Sequence, residues 1–333
     1  MSDRLRKSIE AVSERYAFRT SETVDSLITG TPDDDPIARQ YIPQPQELIN
    51  TPEEDVDPIG DDVHTPVKGI VHRYPDRVLF KPANVCAVYC RYCFRREKVG
   101  PGNEILTKQE RDIALDYIRN HKDIWEVILS GGDPLILSPR QLGKIMRELN
   151  AIEHVQVIRL HTRIPIADPA RVTPQLIEAL NINKAVYMPL HINHAREITL
   201  DVARAIKDLQ KAGIILLSQS VLLKGVNDNV ETLETLYRAL VALGVKPYYL
   251  HHPDLAPGTG HFRLSIKEGQ QIVKQLLGRL SGLCQPTYML DIPNGHGKIP
   301  LTPCYISELE ENTYAVQNYK GETHNYPPKG KHS

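Results

Sequence analysis

From about residue 76 the chain alternates short apolar runs with longer amphipathic stretches. The runs at 78–81, 126–130, 155–160, 185–190, 214–219 and 247–251 are dominated by apolar residues without strict alternation, the pattern of strands buried on both faces of a parallel sheet. The stretches at 107–120, 139–150, 174–181, 200–212, 230–243 and 266–280 carry apolar positions at helical spacing. Six strand–helix alternations predict an α/β fold, either a βα barrel or a doubly wound sheet. Most of the runs end in polar or glycine residues: Gly131-Gly132-Asp133, His161-Thr162-Arg163, His191 to His194, then His252 and Asp254. Polar groups at the carboxyl ends of parallel strands are where barrel active sites are built.

The flanks differ. Residues 1–30 read as helical, with Ile9, Val12, Tyr16 and Phe18 among charges. Residues 31–66 are rich in Pro and acid, from Asp33 to Asp62, and their prolines forbid a long regular element. A solvated connecting segment is the preferred reading there, and an arm packed on the core is the alternative. After residue 285 a further strand is expected over 286–292, then a glycine-containing loop to Lys298, then β-hairpin material with a turn at Lys320-Gly321. The chain thus divides into an N-terminal helical and acidic arm (1–70), a βα core (71–284) and a β-rich C-terminal segment (285–333).

Charge changes the picture by exclusion. Forty Lys and Arg against 41 Asp and Glu give a net charge of -1, which removes the usual electrostatic case for nucleic-acid or membrane-surface binding. No apolar run reaches the ~18–20 residues that span a bilayer. Five cysteines are too few and too odd a number for a disulfide scaffold, so reduced thiols in a cytoplasmic protein are expected.

The strongest chemical signal is Cys86-x3-Cys90-x2-Cys93, within KPANVCAVYCRYCFRRE. Three thiolates in one loop after a strand can ligate three irons of a [4Fe–4S] cluster and leave the fourth iron open. A zinc site would want a fourth ligand in paired spacing. Four histidines, His191, His194, His251 and His252, give no closed ligand set and read as hydrogen-bonding groups. Cys284 and Cys304 have no comparable neighbours.

With an aromatic, Tyr92, before the last cysteine, the motif resembles that of the radical S-adenosylmethionine superfamily. The resemblance implies a partial (βα)6 TIM-like barrel of radical SAM type. It also implies that the open iron chelates S-adenosylmethionine, and that Gly131, Gly132 and Asp133 receive its methionine ammonium group. Further stretches resemble the lysine 2,3-aminomutase family: HRYPDRVLFKP (72–82), CRYCFRRE (90–97), LSGGDPL (129–135), HTRIP (161–165), HINHAREIT (191–199), SQSVLLKGVND (218–228), PYYLHHPDL (247–255), HFR (261–263) and PTYMLDIPNGHGKIP (286–300). That family adds pyridoxal 5′-phosphate, which makes Lys298 the amine that holds it and the catalytic lysine. Arg73, Arg77 and Gln219 become candidate contacts to the cofactors. Arg95 becomes the clamp on the substrate carboxylate, a role that a planar guanidinium suits. Asp254 and Asp291 become the carboxylates that hold the distal ammonium of L-lysine or a similar dibasic amino acid.

The implied activity is isomerisation of L-lysine to β-lysine, for free amino acid or for modifying a lysine of elongation factor P. The implied partners are a flavodoxin- or ferredoxin-type reductant and a second copy of the chain in a homo-oligomer. A non-catalytic iron–sulfur redox or sensor protein would keep the cysteines but has no use for Lys298 with Asp254 and Asp291.

Overall fold

The computed structural model describes residues 3–100, 105–310 and 312–328, so the last five residues of the expected C-terminal segment lie outside it. Nine strands form one sheet in sequence order: β1 (Ile70–Tyr74), β2 (Arg77–Ala83), β3 (Glu126–Gly131), β4 (Val157–Leu160), β5 (Ala185–His191), β6 (Ile215–Val221), β7 (Lys246–His251), β8 (Thr287–Asp291) and β9 (Lys298–Pro300). Strands β2 to β8 run parallel, while β1 and β9 are antiparallel partners at the two edges. Among the described residues the two edges do not pair with each other, and the sheet curls into an open partial barrel with six βα crossovers, the form that the resemblance implies.

Helices α1 (Asp3–Arg15), α2 (Glu22–Leu27) and α3 (Pro36–Tyr41) precede the sheet. The barrel carries α4 (Lys108–Asn120), α5 (Pro139–Asn150), a short α6 (Ile164–Ala167), α7 (Pro174–Leu180), α8 (Leu200–Lys211), α9 (Val230–Ala242) and α10 (Ile266–Leu276). The helices that return the chain between strands each start on a side chain that caps a free backbone N–H: Thr107, Ser138, Thr173, Thr199, Asn229 and Ser265. Their apolar stripes pack on the sheet through Leu142, Ile145, Ile206, Leu233 and Leu236, all fully buried. The last helix ends at Leu276 rather than 280, because Gly278 turns the chain at φ +81°. A separate three-stranded antiparallel sheet follows, β10 (Ile306–Glu310), β11 (Thr313–Gln317) and β12 (Thr323–Tyr326), with its second turn at Lys320-Gly321.

Strand β1 was not expected from the pattern; it is a short antiparallel partner set off from β2 by Pro75, and lies outside the βα period. The larger correction concerns 31–66. The segment is an arm packed on the core, not a solvated connector. Ile37 and Tyr41 are buried, and so are the polar side chains of Asp35, Gln40, Gln44, Glu47 and Asp61. Four of its acids, Asp35, Glu47, Glu54 and Asp61, face inward because the core supplies partners, while Asp33, Asp34, Glu53, Asp55 and Asp62 stay exposed. Glu47, fully buried, accepts from Arg91 Nε at 3.0 Å and pairs with Arg96; Glu54 pairs with Arg263; Asp35 pairs with Arg196 at 3.0 Å.

Removing one partner of a buried ion pair leaves the other charge uncompensated, and Glu47 serves two arginines. Glu47→Ala is therefore expected to lower the unfolding free energy by about 3–5 kcal/mol, read from urea denaturation.

Candidate active site

One cavity of about 630 Å³ runs along the inside of the partial barrel. Its wall includes Arg73, Arg77, Cys86, Cys90, Cys93, Arg95, Gly131, Gly132, Asp133, Gln219, Asp254, Asp291 and Lys298, so every site residue expected from the sequence meets there. Topology accounts for most of this: apart from Arg77 at the start of β2 and Lys298 at the start of antiparallel β9, each is near the carboxyl end of a strand or in the loop that follows, and the curl turns those positions toward one space.

The three cysteines lie in the irregular loop after β2. Burial, and then the neighbouring negative groups, push the Cys86 thiol up; burial and the charge of Cys90 raise Cys93 to about 11. Among the described residues no three His, Cys, Asp or Glu side chains are gathered as a single metal ion requires. Three thiols on one cavity wall could each take a different iron of a multi-iron cluster. The loop is fixed from the side by Gly131-Gly132-Asp133. Gly132 and Asp133 donate backbone N–H groups to the carbonyls of Ala83 and Val85 at 2.8 and 3.0 Å. A Cβ on Gly132 would lie 2.3 Å from the Val85 carbonyl oxygen, so only glycine lets the two backbones approach. The Asp133 carboxylate is committed within the chain, accepting from Thr162 Oγ1 and the Arg163 N–H, both at 2.7 Å, and from the Leu135 N–H at 3.0 Å.

Tyr92, beside Cys93, is buried. Its hydroxyl accepts from Asn193 Nδ2 at 2.7 Å and from Arg163, and lies 3.3 Å from His191 Nε2. Arg163 also donates to Tyr41 at 2.6 Å and Gln40 at 2.9 Å, so the arm reaches the cysteine loop here too.

The charged groups divide the cavity. At one side Arg95, stacked on Phe94, holds Asp61 Oδ2 through Nε at 3.0 Å and Nη2 at 2.9 Å. Lys81 and Arg73 lie 3.5 and 3.6 Å from the same carboxylate. These cations outweigh the cost of burial and hold the Asp61 carboxyl down at about 2. At the other side the β8–β9 register sets Asp291 directly across from Lys298, and the two side chains pair. The Lys298 backbone N–H donates to the Tyr74 hydroxyl at 2.9 Å, and Arg73 Nη1 lies 3.6 Å from Asp291 Oδ1. Asp254 has no hydrogen-bonding or ion-pair partner among the described residues, and burial beside Asp291 pushes it up to about 7. His251 is lowered to about 3 by burial, then by the Lys298 charge; His161 and His191 are also driven well down by burial, so these three imidazoles are neutral. Gln219 faces the cavity from β6, and Arg77 stacks on Tyr74 at 3.9 Å while pairing with Asp76 at 2.6 Å.

A model of the radical SAM superfamily matches residues 80–237, and one described as lysine-2,3-aminomutase matches 273–332. The L-lysine 2,3-aminomutase of Clostridium subterminale is 39% identical over 91% of this chain and 74% of its own length. That of Methanococcus maripaludis is 42% identical over 86% and 66%. The chain belongs to the lysine 2,3-aminomutase family. A glutamate 2,3-aminomutase of Clostridioides difficile is also similar, at 35% identity over 94% of this chain and 74% of its own length. The chain therefore spans two thirds to three quarters of the length of these relatives. Membership makes it an isomerase of the aminomutase type. The family's cofactors are a [4Fe–4S] cluster and S-adenosylmethionine, which the superfamily implies, and pyridoxal phosphate. Among the described residues no helix is long and apolar enough to cross a membrane.

Two groups central to the geometry were not singled out in the sequence. Tyr74 sits inside the HRYPDR stretch that carries the resemblance, which was a usable signal. Asp61 stands in an acid run that looks the same whether solvated or buried, and no local signal marks it.

Replacing Gly132 tests whether this close approach sets the cysteine loop. Gly132→Ala is expected to lower the iron bound per chain after anaerobic reconstitution. Gly282→Ala, where a Cβ meets nothing within 4 Å, is expected to leave iron content unchanged.

Proposed function

We propose that the chain converts L-lysine to β-lysine, moving the amino group from Cα to Cβ. The observation that carries this is that two carboxylates, Asp254 and Asp291, line the same cavity as the guanidinium groups of Arg95 and Arg73. An amino acid with a cationic side chain and a carboxylate satisfies both sets of charge at once. A glutamate side chain would place a third carboxylate beside two others in a shielded space, which like-charge repulsion forbids. The naming of several relatives for lysine supports the same choice.

In this reading Cys86, Cys90 and Cys93 would hold the iron–sulfur cluster, the Gly131–Gly132 backbone would approach S-adenosylmethionine, and Lys298 would hold pyridoxal phosphate, with Arg73, Arg77 and Gln219 as contacts. When bound, these groups supply hydrogen abstraction by a carbon radical and a π-system that stabilises the migrating nitrogen. The chain's own share is orientation and exclusion of water. Arg95 would take the substrate carboxylate through its cavity-facing edge. The distal ammonium would settle between Asp254 and Asp291, beside the carboxylate that pairs with Lys298 until that lysine takes its cofactor.

Anaerobic incubation with L-lysine, S-adenosylmethionine and dithionite is expected to yield β-lysine by chromatography. No β-amino acid from lysine, with other dibasic amino acids equally inert, would sink the proposal. Lys298→Ala is expected to abolish the visible absorbance of bound pyridoxal phosphate.

The pH dependence has a definite sign. A carboxyl raised to about 7 is protonated below that pH and charged above it, and an ammonium ligand needs the charged form. kcat/KM for lysine is therefore expected to fall by up to about tenfold per unit below neutrality. Asp254→Asn should lower the plateau and remove this acid limb.

A further inference from the structure

Asp61 is brought to the cavity by the arm, not by the barrel. It is 1% exposed, and the single oxygen Oδ2 accepts both Nε and Nη2 of Arg95. Contact along that edge leaves Arg95 Nη1 with no hydrogen bond among the described residues, and Arg95 is part of the cavity wall. Asp61 Oδ1 accepts no hydrogen bond although it is buried, and Lys81 and Arg73 stand just beyond hydrogen-bond distance of the carboxylate. One carboxylate against three cations keeps this end of the cavity positive while fixing the direction of one guanidinium.

The turn that carries Asp61 is itself held at both ends of the cavity. The Asp61 N–H donates to Asp57 Oδ1 at 3.0 Å, and its carbonyl accepts from Thr65 Oγ1 at 2.8 Å. Gly60, at φ +63°, lies so close to the loop before Lys298 that a Cβ there would be 2.5 Å from the Gly295 nitrogen. Arg73 donates to the Ile59 carbonyl and also approaches Asp291. The spacing between Arg95 and Lys298 thus passes through one turn of the arm.

We propose that Asp61 is a positioning residue that aims Arg95 at the substrate's α-carboxylate, so that recognition of that carboxylate is set by the arm. The assignment rests on the dibasic reading of the site. Its physical content is that loss of the Asp61 charge frees the Arg95 side chain to rotate, and that only ligands with a carboxylate register the change.

The test compares two ligands on the anaerobic holoenzyme, carrying cluster, S-adenosylmethionine and pyridoxal phosphate, by titration calorimetry. L-Lysine has the α-carboxylate; 1,5-diaminopentane is the same molecule without it. Asp61→Asn is expected to weaken L-lysine by roughly 10- to 100-fold, the range for losing a hydrogen bond to a charged group, and to leave 1,5-diaminopentane unchanged. Asp61→Glu, which restores the charge one methylene further out, is expected to recover part of the lysine affinity; if the Asn variant does not fold, this variant is expected to show a smaller lysine-only loss against the unsubstituted protein. Equal weakening of both ligands, or no weakening of lysine, overturns the proposal. Binding of neither ligand by the unsubstituted holoenzyme overturns the dibasic reading first and this assignment with it.

Discussion

The buried ion pairs between the N-terminal arm and the cysteine loop are the constraint on which the site depends. Among the described residues the loop after β2 has no helix or strand of its own to fix it. Three arginines, Arg91, Arg95 and Arg96, alternate with Cys90 and Cys93 along it, and each is committed to a buried arm carboxylate, Glu47 or Asp61. A buried charge without a partner costs several kcal/mol, so each arginine has effectively one place to be. The backbone between the arginines is carried along, and the thiols with it. The glycine pair after β3 then closes the other side of the loop by backbone contact. Charge pairing on one flank and steric permission on the other do what regular secondary structure does elsewhere in the barrel.

Much of this fold is legible in the sequence, and the reason is physical. A strand covered on both faces must be apolar along its length, so β2 to β7 stand out as runs, and polar residues after them mark the cavity mouth. The helices between them carry Ser, Thr or Asn at their starts for the same backbone reason. The arm was not legible. Its acids and prolines describe a solvated linker equally well, because sequence records that Glu47 and Asp61 are charged but not that Arg91, Arg96 and Arg95 wait for them. Burial of charge is a property of pairs distant in the chain.

The candidate site shows the same split. The cysteine triple was visible through spacing alone, since cysteines that merely fill a core do not gather three to a loop. Asp254, Asp291 and Lys298 were ordinary residues by local pattern, and only resemblance picked them out. The structure adds the reason they meet: antiparallel register puts Asp291 opposite Lys298, and the curl of the sheet brings the loop after β7 alongside. Tyr74 and Asp61 belong to contacts made through folding, the first to the Lys298 backbone and the second to Arg95.

Two carboxylates facing a shielded cavity ought to be costly when no ligand is there, and the chain meets that cost in two ways. Asp291 is neutralised by a cation the protein already owns, Lys298, with Arg73 nearby. Asp254, which has no such partner, moves toward its uncharged form instead. On the proposed reading the two devices are undone in turn. Lys298 would leave Asp291 on taking up pyridoxal phosphate, and the distal ammonium of a dibasic substrate would then lie beside Asp291 and favour the ionised form of Asp254. The acid pair is then fully charged only when a distal cation lies between its members. Selection for a dibasic side chain would therefore arise from the cost of two unpaired buried carboxylates as much as from their attraction for an ammonium.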